Sequence, residues 1–550
     1  MKIPRLHGIL VAMTVGASVL PAQIARSLTG GGRPGVDVLH YAFRVEFPAI
    51  GQPDTLRFVV TATARRLAPV RTITLDLVAS MRVDSVHVNA RPADFTRPGD
   101  SVRVSLPAGD ADTLRLAVFY HGIPTDGLII RRDSNGDWSA FGDNFPERAR
   151  QWLAVVDHPS DKALVDWDVL APATHRVIAN GALVEESPEA GVGGLRRVRT
   201  RWRTVRPIYT AVMVIGVAPF AVVELGDTAC GAGELPGCVR QSVWTSASQR
   251  ANMPGNFARA GEIVALFSRL AGPFPYEKLA HVASSTRYGG MENAGAIFYA
   301  APLFQTGSPS ESLIAHETAH QWFGDAVTEL EWPHVWLSEG FATYFAALWT
   351  EHAHGERTFR DDLTAMRTKV LQAPITFTTP VINDALDDVT QVLNSNVYEK
   401  AGFVLHMLRR EIGDSAFFGG IQLFYAQHRH ATALTDDLQA AFERTAGRPL
   451  GWFFTQWLRR PGAADVRTSW RWDAGQRQIV LTVVQGTRVP PYQLGLSVDV
   501  TDATGQVIRT RVTVPAQLTS QLVVPVTLTD RPRDLQVDAD VSVLGRIVAR

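Results

Sequence analysis

The sequence predicts a multidomain α+β protein, with an N-terminal β-sheet domain, a helix-rich middle domain and a small C-terminal β-sandwich. Three observations predict this order. Residues 36–222 run in short alternations such as VLHYAFRVEF and RVDSVHVNA, broken by Pro, Gly and Asp, the period-two signature of strands. Residues 223–462 change to helical periodicities, for example GNFARAGEIVALFSRLAG and AGFVLHMLRREIG, each closed by glycine. Residues 463–550 return to alternation, as in RQIVLTVVQG and LGLSVDVTDATGQVIRTRVTV, and read as a small antiparallel sandwich. At 550 residues the chain is also too long for one hydrophobic core, so about three domains are expected.

Ahead of these segments, MKIPRLHGILVAMTVGASVLPAQ places Lys2 and Arg5 before an apolar run from Ile9 to Leu20, then the small Ala22 before Gln23. Residues 1–22 therefore read as a signal peptide; a membrane anchor would need about 18 or more apolar residues. Residues 23–35, ending in LTGGGRPG, read as a linker. No other window is apolar enough to span a bilayer, so an exported chain, periplasmic or secreted and without a transmembrane anchor, is expected. Lys+Arg and Asp+Glu both number 54, which leaves no basic footprint for a nucleic-acid partner. A hydrophobic share of 46% with 20% charged residues excludes a disordered chain. The only cysteines, Cys230 and Cys238, flank GAGELPG; in an exported protein they point to a local disulfide rather than a metal site, two unpaired thiols being the alternative. Nothing in the sequence sets an oligomeric state.

The stretch SLIAHETAHQWFGD, residues 312–325, carries the chemistry. Ser308, Pro309 and Glu311 look like a capping serine, a proline at the first helical position and a glutamate three after the cap, so a helix is expected from 309 through both histidines to Gly324. At 3.6 residues per turn, His316 and His320 share a face and can converge on one ion. Glu317 borders that site without ligating, which suits a general base acting on water. With 15 histidines in the chain, such a His-Glu-x-x-His arises by chance in roughly one or two sequences per hundred of this length. A catalytic zinc takes three protein ligands, so a third is needed. After eighteen further residues comes Glu339, in WPHVWLSEGFATYFAALW, where Pro333 can open a second helix. A carboxylate in so apolar a segment is costly unless paired or bound to a cation, a buried salt bridge being the alternative. Two imidazoles and one carboxylate favour Zn2+ over Mg2+ or Ca2+, which prefer all-oxygen cages. Hydrolysis is the expected reaction, with Glu317 passing a proton from water to a leaving amine.

Twenty-seven residues before His316 begins GGMENAGA, in which Gly289 and Gly290 permit close backbone approach, and Glu292 and Asn293 offer a charge and an amide. A Gly-x-Met-Glu-Asn motif ahead of His-Glu-x-x-His and the later glutamate resembles the aminopeptidase N family of zinc gluzincins. The likeness extends to GPFPYEKL, HQWFGD, WLSEGFATYF, NVYEKAGFVLHML and FFTQWL, and in the sheet domain to VVDHPSDKA and IANG. It implies a thermolysin-like catalytic domain with one zinc held by His316, His320 and Glu339. It further implies Glu317 as base, Tyr398 as donor to the oxyanion, and Gly289, Gly290, Met291, Glu292 and Asn293 as substrate-binding residues. Glu292 would bind the free α-amine, making the substrate a peptide with a free N-terminus and the enzyme an exopeptidase.

Three positions depart from the family. Members commonly carry Glu or Gln, a second amine anchor, before a proline that is here Pro146; Phe145 takes that place, with Asn144 before it. Either Asn144 substitutes, or Glu292 binds the ammonium with less help and the first pocket, with Phe145 and Met291 in its wall, is more apolar. Ser338 and Asp325 each replace an asparagine and are expected to serve as outer polar contacts to the site. The other readings are a gluzincin endopeptidase, a relative hydrolysing an epoxide, or an inactive binding scaffold. The Met-Glu-Asn loop opposes the first, and the presence of all five residues His316, Glu317, His320, Glu339 and Tyr398 opposes the last.

Overall fold

A computed structural model describes residues 35–48, 55–107, 112–132, 138–190, 196–305 and 309–549. The expected signal peptide, nearly all of the linker, and Ser308 lie outside them. Residues 36–209 build a nine-stranded sheet around Val36–Glu46, which pairs antiparallel with Leu56–Arg66 and parallel with Lys162–Pro172. The alternation seen in the sequence sets its faces: Phe58, Val60, Ala62 and Ala64 of one strand all point inward. Beneath them Phe43, Trp152 and Trp167 form an aromatic layer, Trp152 and Trp167 stacking at 5.9 Å between ring centroids. A second, four-stranded sheet, Leu128–Arg132, Trp138–Gly142, Ile215–Ala218 and Arg176–Ala179, carries this part towards the middle of the chain.

The middle part opens with a five-stranded sheet in the order Ala221–Cys230, Cys238–Thr245, Leu279–Ser284, Ala296–Ala300, Gly290–Met291. Cys230 and Cys238 face each other across its first hairpin and are joined as a disulfide. Gly290–Met291, antiparallel to Ala296–Ala300, forms the opposite edge. Helices follow, and the two glycine-closed periodicities correspond to Ala260–Leu270 and Ala401–Ile412, the latter ended by Gly413 at φ +81°. The long helix Trp336–Gln372 bends at Gly355, whose φ of +84° is not helical.

The C-terminal part packs Thr519–Val523, Gln478–Gln485, Ala464–Asp473 and Gly545–Ala549 against Val507–Val514, Leu494–Thr501 and Asp534–Val537. Two sheets over a core that includes Val466, Leu481, Val498 and Val512 make the expected sandwich. It is not wholly antiparallel: Gly545–Ala549 adds parallel to Ala464–Asp473, and Gly545 allows it, since a Cβ there would lie 2.5 Å from Ala464 O. No helix of the described residues is long and apolar enough to cross a membrane.

Candidate active site

The helix of both histidines, Glu311–His320, is shorter than the sequence suggested at both ends. Its cap is Ser310, whose Oγ accepts from Leu313 N at 3.1 Å, so Pro309 precedes the cap and Glu311 opens the helix. After His320 the chain tightens: Asp325 N donates to His320 O at 3.0 Å and Gly324 N to Val327 O at 2.8 Å. Gly324 has φ +118°, and a Cβ there would stand 2.4 Å from Ser338 Oγ, so helix cannot continue to it. Pro333 opens a single 3-10 turn, Trp332–His334, and the long helix Trp336–Gln372 then brings Glu339 in its first turn against the histidines.

His316 Nε2 and His320 Nε2 lie 3.1 Å apart, and Glu339 Oε2 lies 3.4 Å from the first and 3.3 Å from the second. A tetrahedral ion with arms of about 2.05 Å has ligand–ligand edges of about 3.3 Å, so this triangle fits Zn2+. Two neutral imidazoles cannot both donate to each other, and buried Glu339 Oε2 accepts no hydrogen bond within the described residues. A shared cation would give all three groups a partner. His320 Nδ1 faces Phe323 O at 3.1 Å and Ser338 Oγ at 3.0 Å; the carbonyl can only accept, so Nδ1 carries the proton and Nε2 is left as a ligand. Ser338 is thus the outer contact expected of it. Asp325 makes no such bond: both its carboxylate oxygens are buried without a hydrogen-bond partner among the described residues.

These ligands open on a cleft of about 400 Å³ lined by Phe145, Gly290, Glu292, Glu317 and Tyr398 among others. Carboxylate oxygens of Glu292 and Glu317 and a ring nitrogen of His320 all fall within 4.8 Å of one another. The two glycines of the loop differ. A Cβ on Gly290 would lie 2.1 Å from Glu317 Oε1, whereas one on Gly289 would meet nothing within 4 Å, so only Gly290 is required by space. Met291 lines the cleft, but Asn293 does not; it is fully buried behind the loop, its carbonyl accepting from Ala296 N at 2.8 Å. The loop is clamped by Gln321, which donates to Glu292 O at 2.8 Å and accepts from Gly295 N at 2.8 Å. Asn180, from the IANG segment, donates to Ala294 O at 2.9 Å and ties the loop to the N-terminal sheet. Tyr398 sits on a π-helical turn, Asn396–Lys400, and donates to Glu339 Oε1 at 2.8 Å.

Electrostatics divide the three carboxylates. Burial pushes Glu317 well above the usual range and raises Glu292 as well. Burial would raise Glu339 too, but the charge of His320 and the contacts of both imidazoles hold it down to about 2. Burial would depress His320, yet Glu292, Glu339 and Glu317 together hold it well above its ordinary value; His316 is lowered by burial.

Phe145 lines the cleft and packs edge-on to Trp332 at 5.4 Å and Tyr288 at 6.3 Å. Asn144 is fully engaged elsewhere, donating to Thr210 O at 3.1 Å and Met213 O at 2.7 Å and accepting from Trp152 Nε1 at 2.8 Å. Both its amide hydrogens are spent there and it does not line the cleft, where Phe145 presents an apolar wall in place of a polar anchor. Sequence reasoning overlooked Tyr288, Ser312, Leu313 and Leu393 in the lining. Ser312 and Leu313 stand four residues before His316 and Glu317, so helical periodicity could have found them; Leu393 had no local signal.

Residues 259–457 match the peptidase family M1 domain. Aminopeptidase M1 of Arabidopsis thaliana is 24% identical over 456 residues, covering 74% of this chain and 49% of the relative. Aminopeptidase N of Streptomyces lividans is 34% identical over 201 residues, 34% of this chain and 23% of the relative. The chain thus spans less than half the length of these curated relatives. Among solved structures, the M1 zinc metallopeptidase from Deinococcus radiodurans superposes with a TM-score of 0.66 at 26% identity, covering 78% of this chain and 94% of that one. A mutant of that protein bound to a Tyr-Ser-Ala substrate gives the same TM-score at 25% identity, over 78% of this chain and 95% of that one.

Proposed function

Because the chain belongs to the M1 family of zinc metallopeptidases, we propose that it is an aminopeptidase that removes single residues from the free N-termini of peptides. One observation carries the reading: buried Glu292 stands within 4.8 Å of both Glu317 and His320, so a cation bound by Glu292 lies about one residue's length from the hydrolytic centre. An ammonium there satisfies a buried carboxylate, and an acetylated terminus does not. Curated relatives named as aminopeptidases and a solved neighbour named as bound to Tyr-Ser-Ala support the same substrate class.

In this reading His316, His320 and Glu339 hold the zinc, and the Nδ1–H of His320 fixes its ring on Phe323 O. When bound, zinc supplies a Lewis acid that makes water acidic near neutrality and polarises the scissile carbonyl. Glu317, raised by burial, takes the water proton and returns it to the leaving amine. Tyr398, whose phenol donates to Glu339 Oε1, is the donor for the oxyanion. The edge strand Gly290–Met291 receives the peptide as an added strand, and Phe145 and Met291 make the first side-chain pocket apolar. The N-terminal charge-then-apolar pattern and the disulfide support export.

The test is cleavage of matched peptides with free and with acetylated N-termini by the zinc-loaded chain. Sequential release from the free forms alone is expected. Cleavage of the acetylated forms as well would mean that Glu292 anchors no amine, and an endopeptidase would replace the aminopeptidase.

A further inference from the structure

Lys162 opens the strand Lys162–Pro172 of the N-terminal sheet, yet its ammonium is buried in the middle part of the chain, in the turn after the histidine helix. Nζ donates to Asp325 O at 2.7 Å, Ala326 O at 2.9 Å and Thr328 Oγ1 at 3.0 Å, three acceptors for three hydrogens, with Ala431 O farther at 3.5 Å. The carboxylates of Asp325 and Glu329 attract it, yet their four oxygens accept no hydrogen bond within the described residues. All the directed bonds of the lysine go to the backbone of the turn and to one hydroxyl. Thr328 Oγ1, accepting from Lys162, donates onward to Gly324 O at 2.6 Å. Gly324 follows Phe323, the carbonyl that faces His320 Nδ1 at 3.1 Å. A Cβ on Gly324 would lie 3.2 Å from that Nδ1, so the turn leaves the imidazole no room to shift towards it without strain.

We propose that Lys162 is a positioning residue for the metal centre: it fixes the turn 324–328, and through Phe323 O it sets the tautomer and direction of the His320 ring. This rests on the reading of His316, His320 and Glu339 as zinc ligands. The N-terminal sheet thereby contributes to zinc affinity without reaching the ion. A side chain that only joined two parts of the chain would stabilise the fold without bearing on the affinity.

The experiment uses the full chain and measures the zinc dissociation constant by competition with a chromophoric chelator, together with the thermal midpoint. Lys162→Met is expected to weaken zinc binding by about ten- to a hundredfold, the range for loss of groups that orient a ligand. Thr328→Val, which leaves both carbonyl bonds of Lys162 but cuts the relay to Gly324 O, is expected to weaken it less and serves if Lys162→Met does not fold. Thr328→Ser, which keeps the hydroxyl, should bind zinc as the parent does. Arg409→Met removes ion pairs to Glu351 at 2.7 Å and Asp414 at 2.9 Å and touches neither histidine; it should lower the thermal midpoint and leave zinc affinity unchanged. Zinc constants within about twofold of the parent in both Lys162→Met and Thr328→Val would overturn the proposal, since orienting groups carry more than that. An equal loss in Arg409→Met would also overturn it, by making the effect one of general stability. A parent chain that takes up no zinc would remove the ligand reading itself.

Discussion

Replacing Gly290 by alanine tests the placement of Glu317 without touching Glu317. The added Cβ would stand 2.1 Å from Glu317 Oε1, 2.3 Å from its Cδ and 2.6 Å from its Cγ. Carbon contacts relax at about 3.5 Å, so the carboxylate must withdraw by about 1 Å or more. Gly290 has no left-handed φ, so alanine fits its backbone and the perturbation is confined to the side chain it strikes. A displacement of about 1 Å at a reacting group costs on the order of 10²-fold, equivalent to about 2.7 kcal/mol of barrier. Gly290→Ala should therefore lose about that factor, chiefly in kcat, with zinc content and thermal midpoint kept. Gly289→Ala, which meets nothing within 4 Å, should remain close to the parent. Steady-state hydrolysis of an amino-acid p-nitroanilide, run beside zinc stoichiometry, measures both. Gly290→Ala within a few-fold of the parent would refute the reasoning, as would equal damage from Gly289→Ala.

Glu317→Gln should retain zinc yet lose about 10²- to 10⁴-fold in turnover; near-normal turnover would remove Glu317 as the base. Tyr398→Phe, which deletes the phenol now on Glu339 Oε1, should lower kcat by about 10²- to 10³-fold with KM little changed; a rise in KM with kcat preserved would make Tyr398 a binding residue instead. The last prediction concerns acid stability. Burial lowers His281, held between Tyr299 Oη and Gln241 Oε1 at 3.2 Å each, to about 3. Unfolded histidine titrates near 6.5, so between these values the unfolded chain binds more protons, and stability present above pH 6.5 is lost as pH falls towards 3. His281→Asn should flatten the fall of the thermal midpoint between pH 6.5 and 4, measured by calorimetry; an unchanged slope would mean that His281 is not a source of it.

What could be read in advance divides along local and distant chemistry. His316, Glu317 and His320 are fixed by one helical turn, and the need for a third ligand led to Glu339, so the meeting of His316, His320 and Glu339 at one point was legible from spacing and burial cost. The helix ends were not, because Ser308 and Ser310 are equivalent as caps in a sequence and only the hydrogen bond to Leu313 N distinguishes them. Gly289 and Gly290 are likewise indistinguishable until Glu317 is seen pressed against one of them. Whether Asn144 or an apolar Phe145 wall stands at that place was open for the same reason. The three partners that occupy Asn144 come from residues 152, 210 and 213, and no local pattern announces them. Lys162 is the extreme case: a lysine opening a strand reads as a solvated end, and its acceptors lie more than 160 residues away.

The charges around the site connect its metal and its substrate preference. Glu292, Glu317 and Glu339 are all nearly fully buried, and three ionised carboxylates so close together are not stable alone. Among the described residues, the main titratable compensation at this centre is His320, held well above its ordinary value by the same carboxylates. A divalent ion held by His316, His320 and Glu339 would balance two of the three charges and leave His320 neutral as a ligand. One charge remains, and it falls to whichever carboxylate meets the next cation. Both Glu317 and Glu292 line the cleft, Glu317 beside the histidines on their helix and Glu292 at the end of the edge strand, where a peptide's N-terminus would arrive. In the proposed reading, an ammonium on Glu292 would complete the balance and leave the raised affinity of Glu317 for a proton available for water. A substrate without that ammonium leaves Glu292 and Glu317 competing for one proton, so its absence should depress kcat as well as raise KM. Comparing a peptide amide with its des-amino analogue, identical except for the terminal amine, separates the two effects: a loss confined to KM would show that the amine only binds and does not tune the base.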